Sequence, residues 1–88
     1  MNTIWKYPLA LVDHMQGMVM PTGAEVLSVA MQHGVPTLWA QVDTDTPSIC
    51  TRLFIVVGTG HAIPEVPLKF VGTVMDGPFV WHVFEALG

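Results

Sequence analysis

Apolar residues in this chain fall in short runs, several of them alternating with polar positions, and glycine or proline cuts the runs at close intervals. Pieces of that length are too short for ordinary helices and suit strands. Thr3–Leu9, TIWKYPL, is rich in β-branched and aromatic residues, and Pro8, which has no N–H to give a ladder, places it at a sheet edge. Gln16–Met20 is a shorter strand running into the turn Pro21-Thr22-Gly23. In Glu25–His33, EVLSVAMQH, residues Leu27, Val29 and Met31 share one face, while Ser28, Ala30 and Gln32 share the other with Val26. A helix over Ala24–Gln32 competes, because Ala, Leu, Met, Glu and Gln all tolerate helix; the alternation and a flanking glycine at each end favour the strand.

His33-Gly34-Val35-Pro36 forms a tight connection into Thr37–Asp43, TLWAQVD, so these two segments are expected to pair as an antiparallel hairpin. Trp39 and Gln41 face one way in it, and Leu38, Ala40 and Val42 the other. Arg52–Val57, RLFIVV, is apolar on both faces, the mark of a central strand. After it, Gly58 to Pro67 is the longest irregular stretch. Lys69–Met75 and Phe79–Glu85 flank Asp76-Gly77-Pro78 as a second hairpin. The sum is an all-β fold, a small barrel or two-layer sandwich of about seven short antiparallel strands, with sequence neighbours expected to pair in space.

Length and composition sharpen this picture. The chain has 88 residues, enough for a single domain over 1–88, and a core that small normally needs a staple or a partner. Cys50 is the only cysteine, so no intrachain disulfide forms. Apolar residues make up 51% and charged residues 11%, too few charges to coat a monomer, and a homo-oligomer is expected. Lys6, Arg52 and Lys69 are the only Lys and Arg, and the formal charge is −4, which argues against a nucleic-acid backbone as partner. No apolar run is long enough to span a membrane as a helix, and a reducing cytoplasm suits the free thiol.

Candidate chemistry is sparse. His14, His33, His61 and His82 sit on different segments without metal-binding spacing, so no metal site is expected. No nucleophile motif surrounds Cys50, and the carboxylates fall mainly at turns and strand ends, so neither a catalytic residue nor a cofactor is expected. The most suggestive segment is Gly58-Thr59-Gly60-His61, directly after the buried strand. Consecutive N–H groups there can cradle an anion, with Thr59 and His61 adding donors, although a strand end that needs positive φ explains the glycines equally well. Arg52, on the same strand, can meet a phosphate in a two-pronged contact or pair with Asp43 or Asp45. An exposed Trp39 can offer a stacking ring. In the last strand Phe79, Trp81 and Val83 face one side and Val80, His82 and Phe84 the other, so one apolar face is left for a subunit partner or a ligand.

The segments IWKYPL (Ile4–Leu9), MPTGAEVLSV (Met20–Val29), LWAQVD (Leu38–Asp43), IVVGTGH (Ile55–His61) and FVWHVFE (Phe79–Glu85) resemble a family of short uncharacterised proteins of tailed phages and prophages, defined only as a domain of unknown function. The resemblance implies a phage setting and the host cytoplasm, and it assigns no activity. Within that setting the expectation is a non-enzymatic anti-defence protein that sequesters a small nucleotide-type signal at a subunit interface, using Arg52, Gly58, Thr59, Gly60, His61 and Trp39. Two other readings stand beside it: a protein-binding inhibitor of a host defence enzyme, and a structural or morphogenetic phage component.

Overall fold

In the computed structural model, which describes residues 1–87, each of the apolar segments becomes a strand and no helix forms among the described residues. The strands are β1 (Asn2–Pro8), β2 (Gln16–Pro21), β3 (Glu25–Gln32), β4 (Val35–Asp43), β5 (Ile49–Gly58), β6 (Leu68–Asp76) and β7 (Phe79–Ala86). They form two antiparallel sheets, one of three strands in the order β1-β4-β3 and one of four in the order β2-β5-β7-β6. All seven expected strands are present with shifted ends, and the segment Ala24–Gln32 is a strand rather than a helix. Gly88, which the sequence reading placed in the single domain, lies outside the described residues.

Two hairpins follow from local turn chemistry. Between β3 and β4 the connection is His33-Gly34, with φ of 50° and 74°, the two positive values that a type I′ turn requires. Between β6 and β7 it is Gly77-Pro78, where Gly77 has φ of 57°. The remaining pairings correct the expectation that sequence neighbours pair. β1 pairs with β4, and β2 with β5, because the early connections carry the chain from one sheet to the other. Pro8 lies on an edge strand and β5 is interior, as their residues required.

The core lies between the sheets. Leu38, Ala40 and Val42 of β4 oppose Met20 of β2, Phe54 and Val56 of β5 and Val83 of β7, all buried. Burying such side chains contributes about 1.5–3 kcal/mol each for the larger ones. On one flank the edge strands β3 and β6 lie side by side, so closely that a Cβ on Gly72 would come within 2.8 Å of Val29 Cγ1. The architecture is therefore a two-layer sandwich, closed by packing at β3–β6, while β1 and β2 form the other ends of the two sheets.

One face assignment changes. The register of β3 against β4 shifts between Val26 and Ser28, and this bulge at Leu27 resets the alternation. Val26 joins Val29 against the core, and Leu27 is left exposed. Strict period-two counting from Glu25 placed Leu27 with Val29, since a bulge leaves no mark in the pattern of residue types.

The Gly58–Pro67 stretch also acquires a role. β5 ends where Gly58 pairs with Trp81, and β6 begins where Leu68 pairs with Ala86, so the connection must travel back along β7. It does so over the outside of the four-stranded sheet, where Ile63 shares a cleft with Val57, His82 and Phe84. Ile55 and Val57, which point away from the core, are buried beneath it.

Candidate functional site

The Gly-rich segment begins as a turn. His61 N–H donates to Gly58 C=O at 3.0 Å, and Gly60 at the third position has φ of 87°, the residue and the sign that a type II turn demands. Thr59 N–H donates to Val80 C=O at 3.2 Å. Two of the N–H groups that an anion nest would use are therefore spent inside the protein. The turn is pinned from the side by His82, whose Nε2 lies 2.8 Å from Thr59 Oγ1 and whose Nδ1 lies 3.0 Å from Thr73 Oγ1. One of those ring nitrogens donates and the other accepts, so the imidazole bridges the turn to β6.

His61 folds back over Gly58. A Cβ at Gly58 would meet His61 Nδ1 and Trp81 Cζ3, each at 3.0 Å, so only a residue without a side chain lets the imidazole and the indole approach the strand this closely. Two clefts share this corner. One, of about 180 Å³, is lined by Leu11, Val12, Asp13, Val56, Gly58, His61 and Trp81. The other, of about 350 Å³, lies along Thr59, His61, Pro78, Phe79, Val80 and Trp81. Phe79 and Trp81 are stacked, their ring centroids 5.8 Å apart and their planes 18° from parallel. The Trp81 Nε1–H is buried without a hydrogen-bond partner, a donor left over by the fold. No Lys or Arg lines either cleft.

Arg52 sits elsewhere. It is six positions before Gly58 on an extended strand, about 20 Å at the rise of a strand. Its Nε donates to Glu85 Oε2 at 2.6 Å, its Nη2 to Glu85 Oε1 at 2.8 Å, and its Nη1 to the carbonyl of Ala24. The hydrogen bond that Arg52 donates to Glu85, ahead of the opposing effect of burial, raises the Arg52 pKa. Pairing with Asp43 or Asp45 does not occur, because those carboxylates instead meet the N-terminal ammonium, at 3.2 and 2.7 Å. Arg52 and Glu85 line a cleft of about 420 Å³, together with Glu25, Lys69 and Phe70. Two acids and two bases balance there, so its field favours neither sign of ligand.

Trp39 is also apart from the turn. It is half-buried on the outer face of the three-stranded sheet, opposite Lys6 of β1 and Ser28 of β3. Of the six expected site residues, Gly58, Thr59, Gly60 and His61 therefore come together, while Arg52 and Trp39 lie in two other places. The sequence reading did not assign Leu11–Asp13, Phe79 or Trp81 to this site; the surplus of rings in the last strand was the signal that pointed to the latter two. Among the described residues no group of three or more His, Cys, Asp or Glu gathers in a way that could hold a metal ion.

Residues 1–87 match the family model described as "Domain of unknown function (DUF7352)". No curated protein and no solved structure matches the chain.

Proposed function

The chain belongs to this family, DUF7352, and we propose that it is a phage-encoded, non-enzymatic binding protein that acts against host defence in the host cytoplasm by holding a small nucleotide-type signal. The observation that carries this reading is the stacked Phe79–Trp81 pair beside the Gly58–His61 turn. A nucleobase laid on the Phe79 ring gains stacking of about 1–3 kcal/mol. His61 and Thr59 are the polar side chains near it, able to read a base edge. The absence of Lys and Arg from these clefts shapes the expected ligand. Affinity comes from the base and sugar, with the phosphates directed toward water or toward a neighbouring copy, as in a homo-oligomer that binds where subunits meet.

The test is native mass spectrometry and calorimetric titration with a panel of cyclic and ADP-ribose-type nucleotides. Binding by the wild type, weakened at least about tenfold in Phe79→Ala and His61→Ala and unchanged in Arg52→Lys and Trp39→Ala, is the expected result. A protein that ignores the whole panel, or binds it equally well in both site variants, overturns the reading. In that case an inhibitor that docks on a host protein becomes the stronger alternative.

A further inference from the structure

The outward positions of the two sheets differ in kind. On the three-stranded sheet they include Lys6, Glu25, Ser28, Gln32 and Gln41, the polar outer face that a sandwich in water requires, and Lys6 Nζ even donates across it to Gln32 Oε1 at 3.1 Å. On the four-stranded sheet the outward positions run from Gly17 and Val19 on β2, through Ile49, Thr51, Leu53, Ile55 and Val57 on β5, to alternating residues of β7 and β6. None of them is Lys, Arg, Asp or Glu. The charges of these strands, Arg52, Lys69, Asp76 and Glu85, fall at the opposite register positions, and Arg52, Lys69 and Glu85 line the cleft between the sheets.

Only the middle of this face is covered by the chain itself, where the 59–67 connection crosses it. On one side of that ridge Val19 is 56% exposed, Ile49 71% and Leu53 44%; on the other, Phe70 is 55% and Met75 72% exposed. The ridge adds Ile63 and Val66, both about half exposed, and contributes one charge, Glu65. Apart from Thr51, Thr73 and His82, alternation on β2, β5, β6 and β7 thus gives an uncharged, mostly apolar residue where a face meeting water would carry a polar one.

We infer that this face is the contact between two copies of the chain, packed through their four-stranded sheets. Size and charge favour a second copy as the occupant. Four strands of six to ten residues at about 4.8 Å spacing give a face of roughly 500 Å² per copy. The pair then buries about 1,000 Å², the size at which a specific interface begins. Each copy carries a formal charge of −4, so association favours a surface poor in carboxylates, and this face holds one, Glu65 on the ridge. A two-fold axis makes such a face complementary to itself. The inference does not depend on the ligand reading, since mass reports assembly and titration reports the ligand.

The test is sedimentation equilibrium and multi-angle light scattering of the whole chain over a wide concentration range. The wild type is expected at twice the 9.6 kDa chain mass. Leu53→Lys and, at a position that is already polar and exposed, Thr51→Arg should each raise the dimer Kd by about a hundredfold or more, since each buries an unpaired charge at the contact. Near-ultraviolet circular dichroism identical to wild type shows that the variants are folded, and Gln41→Lys on the opposite sheet should remain dimeric. A wild type that stays monomeric at high concentration, or a dimer that survives both folded variants, overturns the inference.

Discussion

Arg52 on β5 and Glu85 on β7 meet as a two-pronged pair at 2.6 and 2.8 Å, in side chains that are only 22% and 11% exposed. The pair lies at the end of the sandwich where β5 runs on past its last partner on β7, which is Phe54 opposite Glu85. It ties that overhang to its neighbour, and the third bond, to the Ala24 carbonyl, links it to the start of β3.

Removing one partner should therefore cost more than loss of a surface ion pair. Arg52→Met leaves the buried Glu85 with no counter-charge, and because Arg52 is itself partly exposed the loss should be about 2 kcal/mol, between the values for exposed and for buried pairs. Arg52→Met combined with Glu85→Leu should recover most of that loss. Urea denaturation of the three variants checks both expectations; a single-variant loss below about 0.5 kcal/mol would show that water already screens the pair.

Tyr7 offers a cleaner titration, because it is the only tyrosine in the chain. Its hydroxyl is buried and has no hydrogen-bond partner, and that burial raises its pKa above the ordinary 10.0, with the charge of Arg52 opposing in part. A folded-state pKa above the unfolded value means that the unfolded chain releases the proton first. The contribution is complete below about pH 10 and is lost as pH climbs through the folded value. Tyrosinate absorbance should thus appear at higher pH in the folded protein than in urea. Tyr7→Phe should keep or raise stability, by up to about 1 kcal/mol, because it deletes an unsatisfied hydroxyl while preserving the ring.

Gly72 tests how the sandwich closes. A methyl group there points at Val29 Cγ1 from 2.8 Å, across the seam between β6 and β3. Gly72→Ala should destabilise by about 1–3 kcal/mol through this clash. Adding Val29→Ala should cost less in that background than in the wild type, because the truncated side chain makes room. Additive losses in a double-mutant cycle by thermal denaturation would contradict the contact.

Much of the architecture was legible in the residues. Alternation, turn chemistry at His33-Gly34 and Gly77-Pro78, and the two-faced apolar character of β5 gave the strand set, both hairpins and the interior strand. Pairing of β1 with β4 and of β2 with β5 was not legible, because edge selection depends on packing between segments far apart in sequence. Leu27 was misassigned because a bulge depends on backbone geometry and not on residue type. In the candidate site, Gly58–His61 stood out in the sequence as one Gly-rich segment and folds as one turn, while Arg52 was assigned to it because it shares the same strand. Six residues of extended chain separate the two, and the sequence offered no means of seeing that Glu85 would be nearer.

The strand order also sets a schedule. β1 and β2, the outer members at the β1–β2 end of the two sheets, leave the ribosome before the other five strands, and neither has a partner until β4 and β5 have followed. For much of synthesis the nascent chain therefore carries two unpaired apolar strands, and the first structure it can complete is the β3–β4 hairpin, onto which β1 must return. Assembly from such distant pairings is slow, on the order of milliseconds to seconds. During that interval the chain depends on its own turns, and on the speed of its translation, to keep those strands from finding other chains.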